Sequence, residues 1–102
     1  MIHVLATITL APGTREKFLA EFRKNMPNVH AEQGCVEYAP AIDTPTDLPA
    51  QSKIGADTVI IIEKWASLDA LKAHMKAPHM AAYSAQVKDY VRGRDIKILS
   101  PA

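Results

Sequence analysis

The chain opens on an alternation. Ile2, Val4, Ala6, Ile8 and Leu10 alternate with His3, Leu5, Thr7 and Thr9. A period of two with β-branched residues predicts a strand over Ile2–Leu10. Pro12-Gly13 ends it. Thr14 stands where a helix N-cap belongs, with Glu16 near the positive helix end. From about Arg15 to Glu32 the period lengthens. Phe18, Leu19, Phe22, Met26 and Val29 fall within an arc of about 100° on a helix, and Arg15, Lys17, Glu21, Arg23 and Lys24 lie mostly outside it. Pro27 predicts a kink, and Gly34 is the stop signal.

Val36–Asp43 reads as a second strand, and its Pro40 marks an edge position or a bulge. Thr44–Ala56, with Pro45, Pro49 and Gly55, is a long connection, either functional or a disordered hairpin tip. Asp57–Trp65 is the strongest strand. Val59, Ile60, Ile61 and Ile62 are consecutive, so both of its faces carry apolar side chains and both need cover. Ser67 caps a short helix containing Leu68, Leu71 and Met75. Pro78 starts another at its first position, with Met80, Tyr83, Val87, Tyr90 and Val91 on its apolar arc and Gly93 at its end. Arg94–Leu99 forms the last strand, Ile96 and Ile98 sharing a face.

The order is β-α-β-β-α-α-β. This predicts an α+β, ferredoxin-like βαββααβ sandwich in one domain over residues 1–102, with helices on one face of a four-stranded antiparallel sheet. The other sheet face remains apolar. A domain of this length buries only about two-thirds of its unfolded surface. Pairing the bare faces of two copies adds burial and removes the patch, so a homodimer is expected.

Charge narrows the partners. Twelve Lys and Arg against eleven Asp and Glu leave a net charge of +1, without the basic excess of a nucleic-acid binder. No apolar run approaches the roughly 20 residues of a membrane span. Met1-Ile2-His3-Val4 has no basic segment ahead of an apolar one, so a cytoplasmic protein is expected. The single Cys35 rules out an intramolecular disulfide and a Cys-based zinc cluster, and reads as a small buried hydrophobe. No His-Glu-x-x-His and no Gly-rich phosphate loop occurs, so neither a metal nor a cofactor is expected.

The titratable pair of interest is His74 and His79. Five residues apart, they do not share a helical face and make a poor metal pair. Each stands where a cavity between helices and sheet would open, and a neutral imidazole there suits a general base. A capping or surface histidine is the plainer reading of such positions. Trp65, Tyr38, Tyr83 and Phe22 form a candidate aromatic pocket, although a Trp at a strand end is more often a core anchor. Glu63, near the end of a very apolar strand, reads as structural.

The run Glu32-Gln33-Gly34-Cys35-Val36-Glu37-Tyr38, then Glu63-Lys64-Trp65-Ala66-Ser67, then His74 and Pro78-His79, resembles the antibiotic biosynthesis monooxygenase (ABM) family. The resemblance covers nearly the whole chain and is nearest to the family's quinol-oxidising bacterial branch. It implies a dimeric α+β barrel of two ferredoxin-like subunits. It also implies oxidation of an aromatic phenol, a naphthoquinol such as menadiol, by dioxygen without metal, flavin or haem. His74 or His79 would be the base, and Trp65, Tyr38, Tyr83 and Phe22 would border the ring. Haem-degrading relatives use an Asn on the first strand and an axial His in the last long helix. The matching positions here are Ala6 and Ser84, which cannot ligate iron. The rival from another class is a non-catalytic quinone-binding or stress-response module on the same fold.

Overall fold

The computed structural model describes all 102 residues. The elements are β1 (Ile2–Leu10), α1 (Arg15–His30), β2 (Cys35–Ala41), β3 (Thr58–Trp65), α2 (Leu68–Met75), α3 (Pro78–Val87) and β4 (Val91–Leu99). The strands form one antiparallel sheet in the order β2-β3-β1-β4. This is the α+β ferredoxin-like arrangement, and β2, with Pro40, is an edge strand as its proline requires.

Alternation decides the faces. In β1 the buried residues are Val4, Ala6, Ile8 and Leu10; in β3 they are Val59, Ile61, Glu63 and Trp65. These pack under the helices with Phe18, Leu19, Phe22, Val29 and Leu71. The opposite face carries Leu5, Ile60 and Ile62, only partly shielded, as the consecutive apolar run in β3 predicts. No helix is long and apolar enough to cross a membrane.

Three expectations about helix ends are corrected. Thr14 does not cap α1: its backbone (φ −102°, ψ 3°) is not the extended cap conformation, and its hydroxyl donates to the Ala11 carbonyl at 2.7 Å. Helix α1 stops at His30 rather than Glu32, with Ala31 N–H donating to the Pro27 carbonyl and Cys35 N–H to that of Glu32. Glu32 therefore lies in a turn and not on a helix face. Helix α3 ends at Val87, not Gly93. Tyr90 N–H donates back to Val87, Ala11 N–H donates to the Tyr90 carbonyl, and Val91 pairs with Leu10, so long-range pairing takes residues whose spacing also suits a helix. Gly93 is a strand residue opposite Thr9. The 44–56 connection contains neither helix nor strand, but it is tied down. The Asp43 carboxylate accepts from Ile54 and Gly55 N–H at 2.9 Å each, which holds it below the usual carboxylate range, and Arg15 donates to the Gly55 carbonyl.

Candidate functional site

Between helices α2 and α3 and the sheet lies a cavity of about 400 Å³, lined mostly by apolar side chains. This is the size range of small-ligand sites. Val4, Ala6 and Ile8 of β1 form its floor. Ile96 and Ile98 of β4 stand opposite Ala6 and Val4 in the ladder, and so on the helix side, yet they are 45% and 49% exposed. The cavity therefore opens over β4. Its polar lining is Tyr38, Glu63, His74, Lys76, Tyr83, Ser84 and Arg94.

His74 is the best-held of these. It is 4% exposed, in contact with the Trp65 indole at a centroid distance of 4.6 Å and with Tyr38 at 5.4 Å. Its Nδ1 lies 2.7 Å from Glu32 Oε2. An ionised carboxylate only accepts, so Nδ1 carries the proton and Nε2 is the nitrogen left for the cavity. Two features bring Glu32 there. Ser67 caps α2 by accepting from Ala70 N–H at 3.1 Å, which sets the helix that presents His74. Gly34, at φ +83°, lets the turn after α1 press against α2: a Cβ there would meet the Ala70 Cβ at 2.6 Å.

Glu63 is the second buried acid, 7% exposed. It shares the inward phase of Val59, Ile61 and Trp65, whereas Lys64 points to the other face and pairs with Glu37 at 3.4 Å. Trp65 Nε1–H donates to Glu63 Oε1 at 2.9 Å. Burial pushes the Glu63 carboxyl above the usual carboxylate range, against the pull of the Trp65 donor and of His74. Burial likewise raises Tyr38 and Tyr83 well above an ordinary phenol, so both stay protonated donors. Cys35 is raised by burial and by the charges of Glu32 and Glu63, which keeps it a thiol.

The expected site residues divide in two. His74, Tyr38 and Tyr83 line the cavity. Trp65, Phe22 and His79 do not. Trp65 (0% exposed) and Phe22 (1%) are core residues one layer back, Phe22 stacked on Tyr38 at 5.1 Å. Their bulk fits the interior better than a wall. His79 stands behind Glu32, its Nε2 3.3 Å from the same Oε2. Sequence reasoning missed the roles of Glu32 and Glu63, although each left a signal. Glu63 keeps the phase of the buried residues of its strand. Glu32, just past the end of a helix, sits where the helix dipole disfavours an acid and so needs another reason to be there.

No group of three or more His, Cys, Asp or Glu side chains is placed to hold a metal ion. Ala6 and Ser84 both line the cavity, and neither offers iron a ligand. None of the 44–56 residues lines it.

The comparisons with known proteins point one way. The profile of the family described as "Antibiotic biosynthesis monooxygenase" matches residues 1–86. The chain is 41% identical over 103 aligned positions to "Probable quinol monooxygenase YgiN" of Escherichia coli strain K12, covering 99% of this chain and 98% of that one. Among solved structures it resembles PA3566 of Pseudomonas aeruginosa (TM-score 0.80, 26% identity, 99% and 93% of the two chains). It shares its fold with Rv0793 of Mycobacterium tuberculosis (TM-score 0.79, 24% identity, 99% and 94%).

Proposed function

The chain belongs to the antibiotic biosynthesis monooxygenase family and is an enzyme with a monooxygenase role, and on that premise we propose that it oxidises a quinol with dioxygen in the cytoplasm. The substrate on this reading is a naphthoquinol such as menadiol, the class named for the YgiN relative being quinols. One observation carries the proposal. A buried imidazole borders an apolar cavity of about 400 Å³, with its far nitrogen engaged by a carboxylate at 2.7 Å.

The chemistry follows from that pair. His74 Nε2 takes a phenolic proton, and Glu32 stabilises the imidazolium that forms. The resulting phenolate is electron-rich and reduces dioxygen without a further reductant. For insertion, one oxygen atom enters the ring and the other leaves as water. The two electrons and two protons of the diol balance that water, and the product is a hydroxyquinone. If only oxidation occurs, the products are quinone and hydrogen peroxide. Tyr38 and Tyr83 donate hydrogen bonds to substrate oxygens, and the apolar floor excludes water. Trp65 and Phe22 act at one remove, by holding Glu63, His74 and Tyr38 in place.

The same reading makes the enzyme a homodimer joined through the outer sheet face, where Leu5 is 37% exposed and Ile60 and Ile62 are half-buried. Such a face is what a partner sheet would cover.

Oxygen uptake by chelator-treated protein given freshly reduced menadiol tests the reaction against the autoxidation rate without protein. Saturable uptake above that rate, with label from heavy-isotope dioxygen in the product, supports insertion. Uptake at the background rate rejects menadiol. Quinone binding without uptake would favour a binding module, for which the His74–Glu32 pair has no use.

A further inference from the structure

Glu32 Oε2 is one acceptor atom facing two imidazoles. His74 Nδ1 holds it at 2.7 Å, with good hydrogen-bond geometry. His79 Nε2 stands at 3.3 Å, within ion-pair range but without that geometry. Both ring nitrogens of His79 are buried and have no hydrogen-bond partner. His79 is not among the residues that line the cavity. Buried polar atoms with no partner are costly, and structures rarely keep them without a use for them. We propose that His79 is a positioning residue that sets the strength of the base, by competing with His74 for the single oxygen of Glu32. This deepens the reading above and rests on His74 being the base.

The physics has a definite sign. While His79 is neutral, His74 has the carboxylate to itself, and the imidazolium that forms on proton abstraction is fully stabilised. A proton on His79 places a second cation beside Oε2. That cation draws the carboxylate away and leaves His74 a weaker base. Glu32, from the turn after α1, favours the charged form of His79. The N-terminal end of α3, on which it sits, opposes that form, and so does a charged His74 on α2. Glu63 and Tyr38 of the sheet, Lys76 at the end of α2 and Tyr83 of α3 face the cavity side, and none is in ion-pair range of either ring.

The test is ring-nitrogen NMR of the full chain with labelled histidine, over about pH 5 to 8, where imidazoles change charge. In His79→Ala, the His74 curve should become a single step with its midpoint at higher pH than in the wild type. The acid limb of kcat/KM should move up with it. In Glu32→Gln, the contest has no object, and a further His79→Ala change should move the His74 curve less than it does with Glu32 present. An unmoved His74 curve in folded His79→Ala overturns the proposal. Should the alanine variant not fold, His79→Gln gives the same reading, because the amide cannot take a charge. The NMR curves need no turnover. A protein that oxidises no quinol would remove the job of the base and still leave the sharing of Glu32 decided.

Discussion

Glu32→Gln is the most economical perturbation of the site, because it keeps the shape of the side chain and removes only its charge. The Glu32 and His74 side chains are 16% and 5% exposed, so solvent screens the pair little. A hydrogen bond to a charged group contributes about 1.5–3 kcal/mol net, and a neutral one about 0.5–1.5 kcal/mol. The glutamine amide oxygen can still accept from Nδ1–H, so the loss is the difference, about 1–1.5 kcal/mol. At 1.36 kcal/mol per decade of rate this is roughly tenfold. The interaction strengthens as the imidazolium forms, so the loss should fall on kcat and kcat/KM together and spare KM. The sign with pH follows as well. Without the carboxylate the imidazolium is less stable, so His74 stays neutral to lower pH and the acid limb moves down while the plateau drops. Initial rates of oxygen uptake with reduced quinol, corrected for autoxidation, measure both. A Glu32→Gln enzyme with the wild-type plateau and an unmoved acid limb would falsify the pairing as a catalytic device.

Other expectations are as direct. Burial raises Glu63 above its unfolded value, so ionising it costs stability as pH rises and the cost is absent below the unfolded range. Glu63→Gln should therefore raise Tm, and the gain should grow from about pH 4 upward, the ordinary carboxylate range; thermal melts showing a gain independent of pH would contradict this. Gly34→Ala meets a left-handed backbone at φ +83° and a Cβ contact of 2.6 Å, whereas Gly13→Ala at φ +77° meets open space. The backbone term alone is about 1–2 kcal/mol, so Gly34→Ala should lower Tm more than Gly13→Ala does, and equal losses would show that the approach to α2 is unimportant. Ile62→Asp places a charge on the outer sheet face. It should turn a dimeric species into a monomer in sedimentation, and a wild-type protein that already sediments as a monomer at micromolar concentration would end the dimer reading.

Why some of this was legible from sequence and some was not has a physical answer. Strand phase carries long range, because one buried face constrains every second residue; hence β1 and its faces follow from alternation, whereas the apolar run of β3 marks a strand without saying which of its faces is the inner one. The same phase held Glu63, and only its polarity argued for leaving it out of the site. Helix ends are less legible. Met80, Tyr83 and Val87 keep a helical spacing that runs on through Tyr90 and Val91, yet the chain leaves the helix because Ala11 and Leu10 claim Tyr90 and Val91 for the sheet. Those partners lie some eighty residues away in the chain, where no local window reaches. Aromatic residues mislead in another way. Trp65 and Phe22 suit a cavity wall as well as a core by composition, and the decision is made by depth, which periodicity does not contain. The His74–Glu32–His79 cluster is the extreme case. Its members come from a turn and two helices, 42 residues separate Glu32 from His74, and a single glycine with positive φ closes the distance between them. The adverse position of an acid past a helix end was the only local sign of it. In this chain a charge that local electrostatics disfavours therefore marks a member of the candidate site, whereas Trp65 and Phe22, which local packing tolerates, lie one layer behind the cavity.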